Sequence, residues 1–152
     1  MRIRRYEPSD WSEWRRMAME LFEGDTTEAD EAEMRQTLAR EDAAVFVLDR
    51  EDGRLAGYVE AGARNYADGC ATSPVGYIEA WFIDPDVRRS GHGRNLLAAA
   101  ESWAVERGYT EMASDALLHN DVSHEAHKRS GYQEVERIVQ FRKPLIRNDS
   151  SK

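Results

Sequence analysis

One cysteine stands in 152 residues, so no disulfide can form within the chain, and a reducing compartment is the expected setting. Nothing around Cys70 supplies an activating histidine, which makes it a small loop or packing residue rather than a nucleophile. Long apolar runs are missing as well. The start, Met1-Arg2-Ile3-Arg4-Arg5-Tyr6, turns polar too early for a secretory leader, so the expectation is a soluble cytoplasmic protein with no membrane partner. A basic excess is also lacking. The formal charge of -8 argues against a nucleic-acid binder, which needs a positive face for phosphates. Acid in excess attracts cations instead, although most such charge merely keeps a surface soluble.

What is present is patterned. Ile3 to Tyr6 reads as a strand ended by Pro8, and Asp10 with Glu13 has capping-box spacing. Trp11, Trp14, Met17, Ala18 and Leu21 then recur at helical steps, closed by Gly24. Thr26-Thr27 cap a second helix through about Arg40, with so thin an apolar face that it should cover a cleft edge rather than fill a core. Ala43 to Asp49 and Leu55 to Ala63 read as strands joined by the Asp52-Gly53 turn. A loop from Arg64 to Pro74 precedes a strand from Tyr77 to Ile83. Further on come a helix after Gly91-His92-Gly93, a short strand from Glu111 to Ser114, a helix from Asp121 to Ser130 and a last strand from Val135 to Arg142. Hairpins mixed with helical crossovers predict an α/β (α+β) fold with a mixed sheet flanked by helices. Residues 1–145 are read as one domain and 146–152 as a disordered tail.

The chemistry concentrates between Gly76 and Ala98. There an apolar strand runs into a turn, and the turn opens a helix. Gly91 and Gly93 permit close backbone approach, and a helix start adds unpaired N–H donors that suit a pyrophosphate. Arg88, Arg89 and Arg94 make this patch locally basic. A Walker loop is excluded for want of Gly-Lys-Ser/Thr, and a dinucleotide fingerprint because Leu96 occupies its third glycine position. Within the strand, Glu79 is a carboxylate among apolar residues. Such a group must be paired, hydrogen-bonded or facing a wet cleft.

The pattern Arg88-x-x-Gly91-x-Gly93, set after a bulky strand and before a long helix, resembles the pyrophosphate motif of the GNAT superfamily. Three further segments are similar to those of aminoglycoside 6'-N-acetyltransferases: Asp68 to Val75, Glu111 to Asp115, and Gly131 to Arg137. The resemblance spans about residues 1 to 143 and implies the GNAT fold and acetyl transfer from acetyl-CoA, without a metal, directly to the 6'-amine of an aminoglycoside within a ternary complex. It implies that the main chain of Trp81, Phe82 and Ile83 pairs with pantetheine. Arg89, Ser90, Gly91, His92, Gly93 and Arg94 would hold the pyrophosphate, with Asn120 touching the cofactor or simply capping the next helix. Glu79 and Asp115 would be the catalytic carboxylates, Glu79 taking the proton of the acceptor amine directly or through water, and both would join Phe22, Tyr66 and Glu136 around the antibiotic. Each has an ordinary structural alternative: an arginine pair for Glu79, a turn for Asp115, a surface charge for Glu136 and loop packing for Tyr66. His127 stands where many GNAT enzymes carry a tyrosine acid, and the general acid stays open. A homodimer packed through the C-terminal portion is implied. Other readings are an acetyltransferase for a different amine, or a module that binds acyl-CoA without turnover.

Overall fold

The computed structural model describes residues 1–24 and 27–146. Five strands form one sheet in the order β1-β2-β3-β4-β5. They are β1 (Arg2–Arg5), β2 (Ala43–Asp49), β3 (Leu55–Arg64), β4 (Val75–Ile83) and β5 (Met112–Ser114). The first four meet antiparallel, whereas β5 runs parallel to β4, so the sheet is mixed as expected.

Alternation along β2, β3 and β4 sends apolar side chains to both faces, and each face carries helices. On one side α1 (Trp11–Leu21) and α2 (Glu28–Ala39) bring Trp14, Met17, Ala18 and Met34 onto Val45, Val47, Tyr58, Ala80 and Phe82. On the other, α3 (His92–Glu106) lays Leu96, Leu97, Ala100 and Trp103 on Ala44, Val59, Ala61 and Ile78. Trp14 is 1% exposed and edge-on to Tyr6, Trp11 and Tyr58, so truncating it to alanine should cost about 3–5 kcal/mol. Met34 is the one buried residue of α2, in keeping with its thin apolar face. A fourth helix, α4 (Asp121–Arg129), has no fully buried residue.

Two expectations are corrected. The segment Val135 to Arg142 is not a strand; residues 133–146 lie outside helix and strand. Its alternation is real, but Val135, Ile138, Val139 and Phe141 are exposed, and a strand forms only where its N–H and C=O groups pair with a neighbour. Nor does Asp10 cap with Glu13. The Asp10 carboxylate accepts from the Glu7 N–H and from Arg4, while Glu13 reaches across to the Leu55 N–H. Thr27 does cap α2, reciprocally with Asp30, whereas Thr26 and residues 147–152 of the expected tail lie outside the described residues.

A β-bulge decides where the site lies. On β3, Glu60 pairs with Ala80 and the next residue, Ala61, pairs with Ile78, so Glu79 is the extra residue of β4. A bulge bends its strand and re-aims the extra side chain.

Candidate active site

Strand β4 is longer than its outer neighbour. Pairing with β5 covers only Gly76, Tyr77 and Ile78, so the main chain from Glu79 to Ile83 has no strand on that side among the described residues. At the far end of this open edge, Arg88 donates from Nε to the Ile83 carbonyl at 2.9 Å and draws the following turn back against the strand. Arg89 and Gly91 both have positive φ, 65° and 82°, a backbone that only glycine adopts freely. Gly91 is the N-cap of α3 and a Cβ there would meet open space, so its conformation, not crowding, demands glycine. Gly93 is constrained differently: a Cβ would stand 3.1 Å from the Trp81 ring, whose Nε1 donates to the Gly93 carbonyl. The turn thus brings a helix N-terminus flush with the strand. The unpaired N–H groups and dipole of that helix end favour an anion, and the residues present fit a diphosphate.

Arg94 spends part of its guanidinium on the Arg129 carbonyl at 2.7 Å, tying α3 to the end of α4. Asn120 caps α4, accepting from the Ser123 N–H at 3.1 Å. Ser90 is exposed and His92 partly buried at the first turn of α3.

The acids gather beyond the other end of the open edge. Arg64, last residue of β3, holds Glu79 with two bonds, Nε to Oε1 at 2.8 Å and Nη2 to Oε2 at 2.7 Å. The same guanidinium lies 3.5 Å over the Tyr77 ring, and the Tyr77 hydroxyl donates to Asp115 at 2.5 Å. Burial, then the bond to Asp115, push the Tyr77 phenol well up and keep it a donor. Glu79 and Asp115 therefore stand as two acids around one arginine. Phe22 and Tyr66 are both exposed, and the Tyr66 hydroxyl donates to Asp68. Glu136 is exposed, accepts from the Arg137 N–H and lies close enough to raise the Tyr66 phenol slightly, the Asp68 bond contributing more. Val135 of this segment packs on Gly69, where an added Cβ would stand 2.7 Å from it.

Two further groups stand near the site: His127, whose role the sequence leaves open, and Glu60, which the sequence reading passes over. Between β4 and α4, the His127 Nδ1 bonds the Ser123 carbonyl at 2.7 Å, so it carries the proton, and Nε2 accepts from the Ser114 hydroxyl at 2.8 Å. Its ring is edge-on to Trp81 and to Tyr132. Glu60, beside the bulge, is pushed up to about 7 by burial, then by Glu79 and Glu33. It carried the same signal as Glu79, an acid in an apolar strand. The Cys70 thiol is raised, by burial and then by Glu111, which makes it a poor nucleophile.

A sheet opened along β4, with a glycine turn and helix start at one end and carboxylates at the other, is the frame of an acyl-CoA-dependent acetyltransferase. The chain belongs to the Acetyltransferase (GNAT) family, whose model matches residues 11–132. Among characterised relatives it is similar to aminoglycoside N(6')-acetyltransferase type 1 of Stenotrophomonas maltophilia, 38% identical over 94% of this chain and 93% of that one. Its fold matches the aminoglycoside 6'-N-acetyltransferase AAC(6')-IG of Acinetobacter haemolyticus with a TM-score of 0.86 and 35% identity, covering 96% of this chain and 100% of the other. AAC(6')-Iy, solved with the bisubstrate analogue CoA-S-monomethyl-acetylneamine, matches with a TM-score of 0.86 and 32% identity over 95% and 98% of the two chains.

Proposed function

We propose that this protein is an acetyl-CoA-dependent N-acetyltransferase that modifies the 6'-amine of aminoglycoside antibiotics and thereby confers resistance. The observation that carries the reading is the open edge of β4, Glu79 to Ile83, set between a diphosphate-fitting turn and a pair of carboxylates. The amides and carbonyls of Trp81, Phe82 and Ile83 take the pantetheine arm as an added strand. Residues Arg89 to Arg94 take the diphosphate, and Asn120 supports the cofactor side by capping α4. Glu79, Asp115 and Glu136 receive the ammonium groups of the sugar, with Phe22 and Tyr66 as its walls. Binding both substrates at once allows direct transfer without an acyl-enzyme, and orientation supplies much of the rate.

The exposed apolar residues Ile138, Val139, Phe141, Leu145 and Ile146 support a homodimer joined through this C-terminal segment. No described helix is long and apolar enough to cross a membrane, and we place the reaction in the cytoplasm. Thiol release from acetyl-CoA with kanamycin, tobramycin, spermidine and a short peptide tests the reading. Turnover confined to the two antibiotics supports it; turnover only with spermidine or peptide moves the assignment to another amine.

A further inference from the structure

On the antibiotic reading above, the acceptor arrives as an ammonium and must lose a proton before its nitrogen can attack a thioester. Glu79 is already engaged: one guanidinium bonds both of its oxygens, leaving each a lone pair that can accept from an ammonium. A second carboxylate stands beside it. Glu60 pairs across β2 with Val45 and across β4 with Ala80, both in the core under α1 and α2, so its side chain lies on that same face. The bulge places Glu79 next to it in the ladder.

Charged groups approach Glu60 from two sides: Glu79 from β4, and Glu33 from α2 with Arg40 just beyond its end. Arg40 is committed to Asp42 at 2.9 Å and to the Ala63 carbonyl. On its own strand Glu60 has the buried Tyr58 two residues away, and on β2 its ladder partner is Val45. Among the described residues no hydrogen bond reaches the Glu60 carboxylate. A sheltered acid with like charges around it and no bond to its ionised form holds a proton more readily than an exposed one.

We propose that Glu60 is the proton acceptor for the amine, while Glu79 and Asp115 bind the ammonium. One N–H bond of the ammonium breaks and its proton passes to a Glu60 oxygen, which becomes a neutral acid. The freed electron pair forms the N–C bond to the acetyl carbonyl, and the C–S bond breaks with its electrons on sulfur. The second amine proton leaves through solvent as the thiolate is protonated, giving amide and thiol; Glu60 then returns its proton to water. A base titrating near neutrality suits this duty, since it is ionised at working pH yet holds the proton it takes.

The test is the pH profile of kcat for the full-length wild type, Glu60→Gln, Glu60→Asp and Glu79→Gln, with tobramycin and acetyl-CoA, beside melting curves at pH 8. The wild type should lose activity below a midpoint near 7. Glu60→Gln should lower kcat by about a hundredfold, with KM for both substrates little changed and the acid limb abolished. Glu60→Asp should recover part of kcat and keep an acid limb. Glu79→Gln should raise tobramycin KM and retain the limb. Glu60→Gln should also melt higher at pH 8, because it removes an ionised sheltered acid, so a fall in kcat cannot be ascribed to unfolding. An active wild type with Glu60→Gln unchanged in kcat and acid limb overturns the role of Glu60 alone; a wild type that releases no thiol with any aminoglycoside overturns the function itself.

Discussion

Glu79 and Arg64 face each other between β4 and β3, and a single guanidinium holds both oxygens of the carboxylate at 2.8 and 2.7 Å. On the proposed function, acceptor ammonium and Arg64 compete for the same acid. Removing the arginine should help binding rather than harm it. Arg64 is 44% exposed, so water weakens the pair, and Arg64→Ala should lower the KM for tobramycin by no more than about fivefold. A rise in KM would mean that the arginine orients Glu79 instead of competing for it.

Asp115 is reached through Tyr77, whose hydroxyl donates to it at 2.5 Å. Asp115→Asn keeps the shape but removes a charge that, in the proposed site, faces the sugar. Acceptor KM should rise by about tenfold, the range for losing one charge-assisted hydrogen bond, while the Kd for CoA stays put. Steady-state kinetics alongside calorimetry with CoA separate the two; a parallel loss of CoA affinity would place Asp115 on the cofactor side.

The two loop glycines should fail for different reasons. Gly91→Ala forces a side chain into left-handed backbone and should destabilise the turn by about 1–2 kcal/mol, without crowding anything. Gly93→Leu drives a side chain into the Trp81 ring and lifts the helix start away from β4. Calorimetry should show CoA affinity falling in both, more steeply for Gly93→Leu. Equal affinity for wild type and Gly93→Leu would remove the turn from the cofactor site.

These relationships were unevenly legible in the sequence. Helices and strands as far as α4 follow from apolar spacing and turn residues. The phosphate-fitting turn could be read because glycine spacing, strand and helix are all local. What stayed hidden is non-local. That Arg64 occupies Glu79, and that Glu60 adjoins it, depends on the register of β3 on β4 and on a bulge that no single strand announces. For Asn120 the sequence allows a cap or a cofactor contact, and its Oδ1 does accept as a cap, leaving the amide nitrogen available. Val135 to Arg142 has the alternation of a strand, but alternation states which face is apolar and not what pairs with the backbone.

That segment yields a prediction of its own. Ending the chain after Gln133 removes the exposed apolar residues Ile138, Val139 and Phe141. Light scattering should find a dimer for the full chain and a monomer for the shortened one. A full chain that is monomeric at micromolar concentration would contradict the dimer.

Acid should loosen the β1–α1 corner. Burial alone would raise the Asp10 carboxyl, but bonds from Arg4 and the Glu7 N–H hold it below its ordinary value; Glu13 is held down likewise against burial by Arg16 and the Leu55 N–H. Because the folded values are depressed, this stabilisation is complete above the unfolded carboxylate range near pH 4 and is lost as pH falls through the folded values. Asp10→Asn should cost about 3 kcal/mol at pH 7 and flatten the fall of Tm between pH 5 and pH 3. An unchanged slope would assign the acid loss to other carboxylates.

The most direct measurement compares two antibiotics that differ at one atom: neomycin, which has a 6'-amine, and paromomycin, which has a 6'-hydroxyl. With acetyl-CoA and purified protein, neomycin should release thiol in step with a product heavier by one acetyl group, and paromomycin should release little. Equal thiol release from both, or none from either, would contradict acetylation at the 6'-amine.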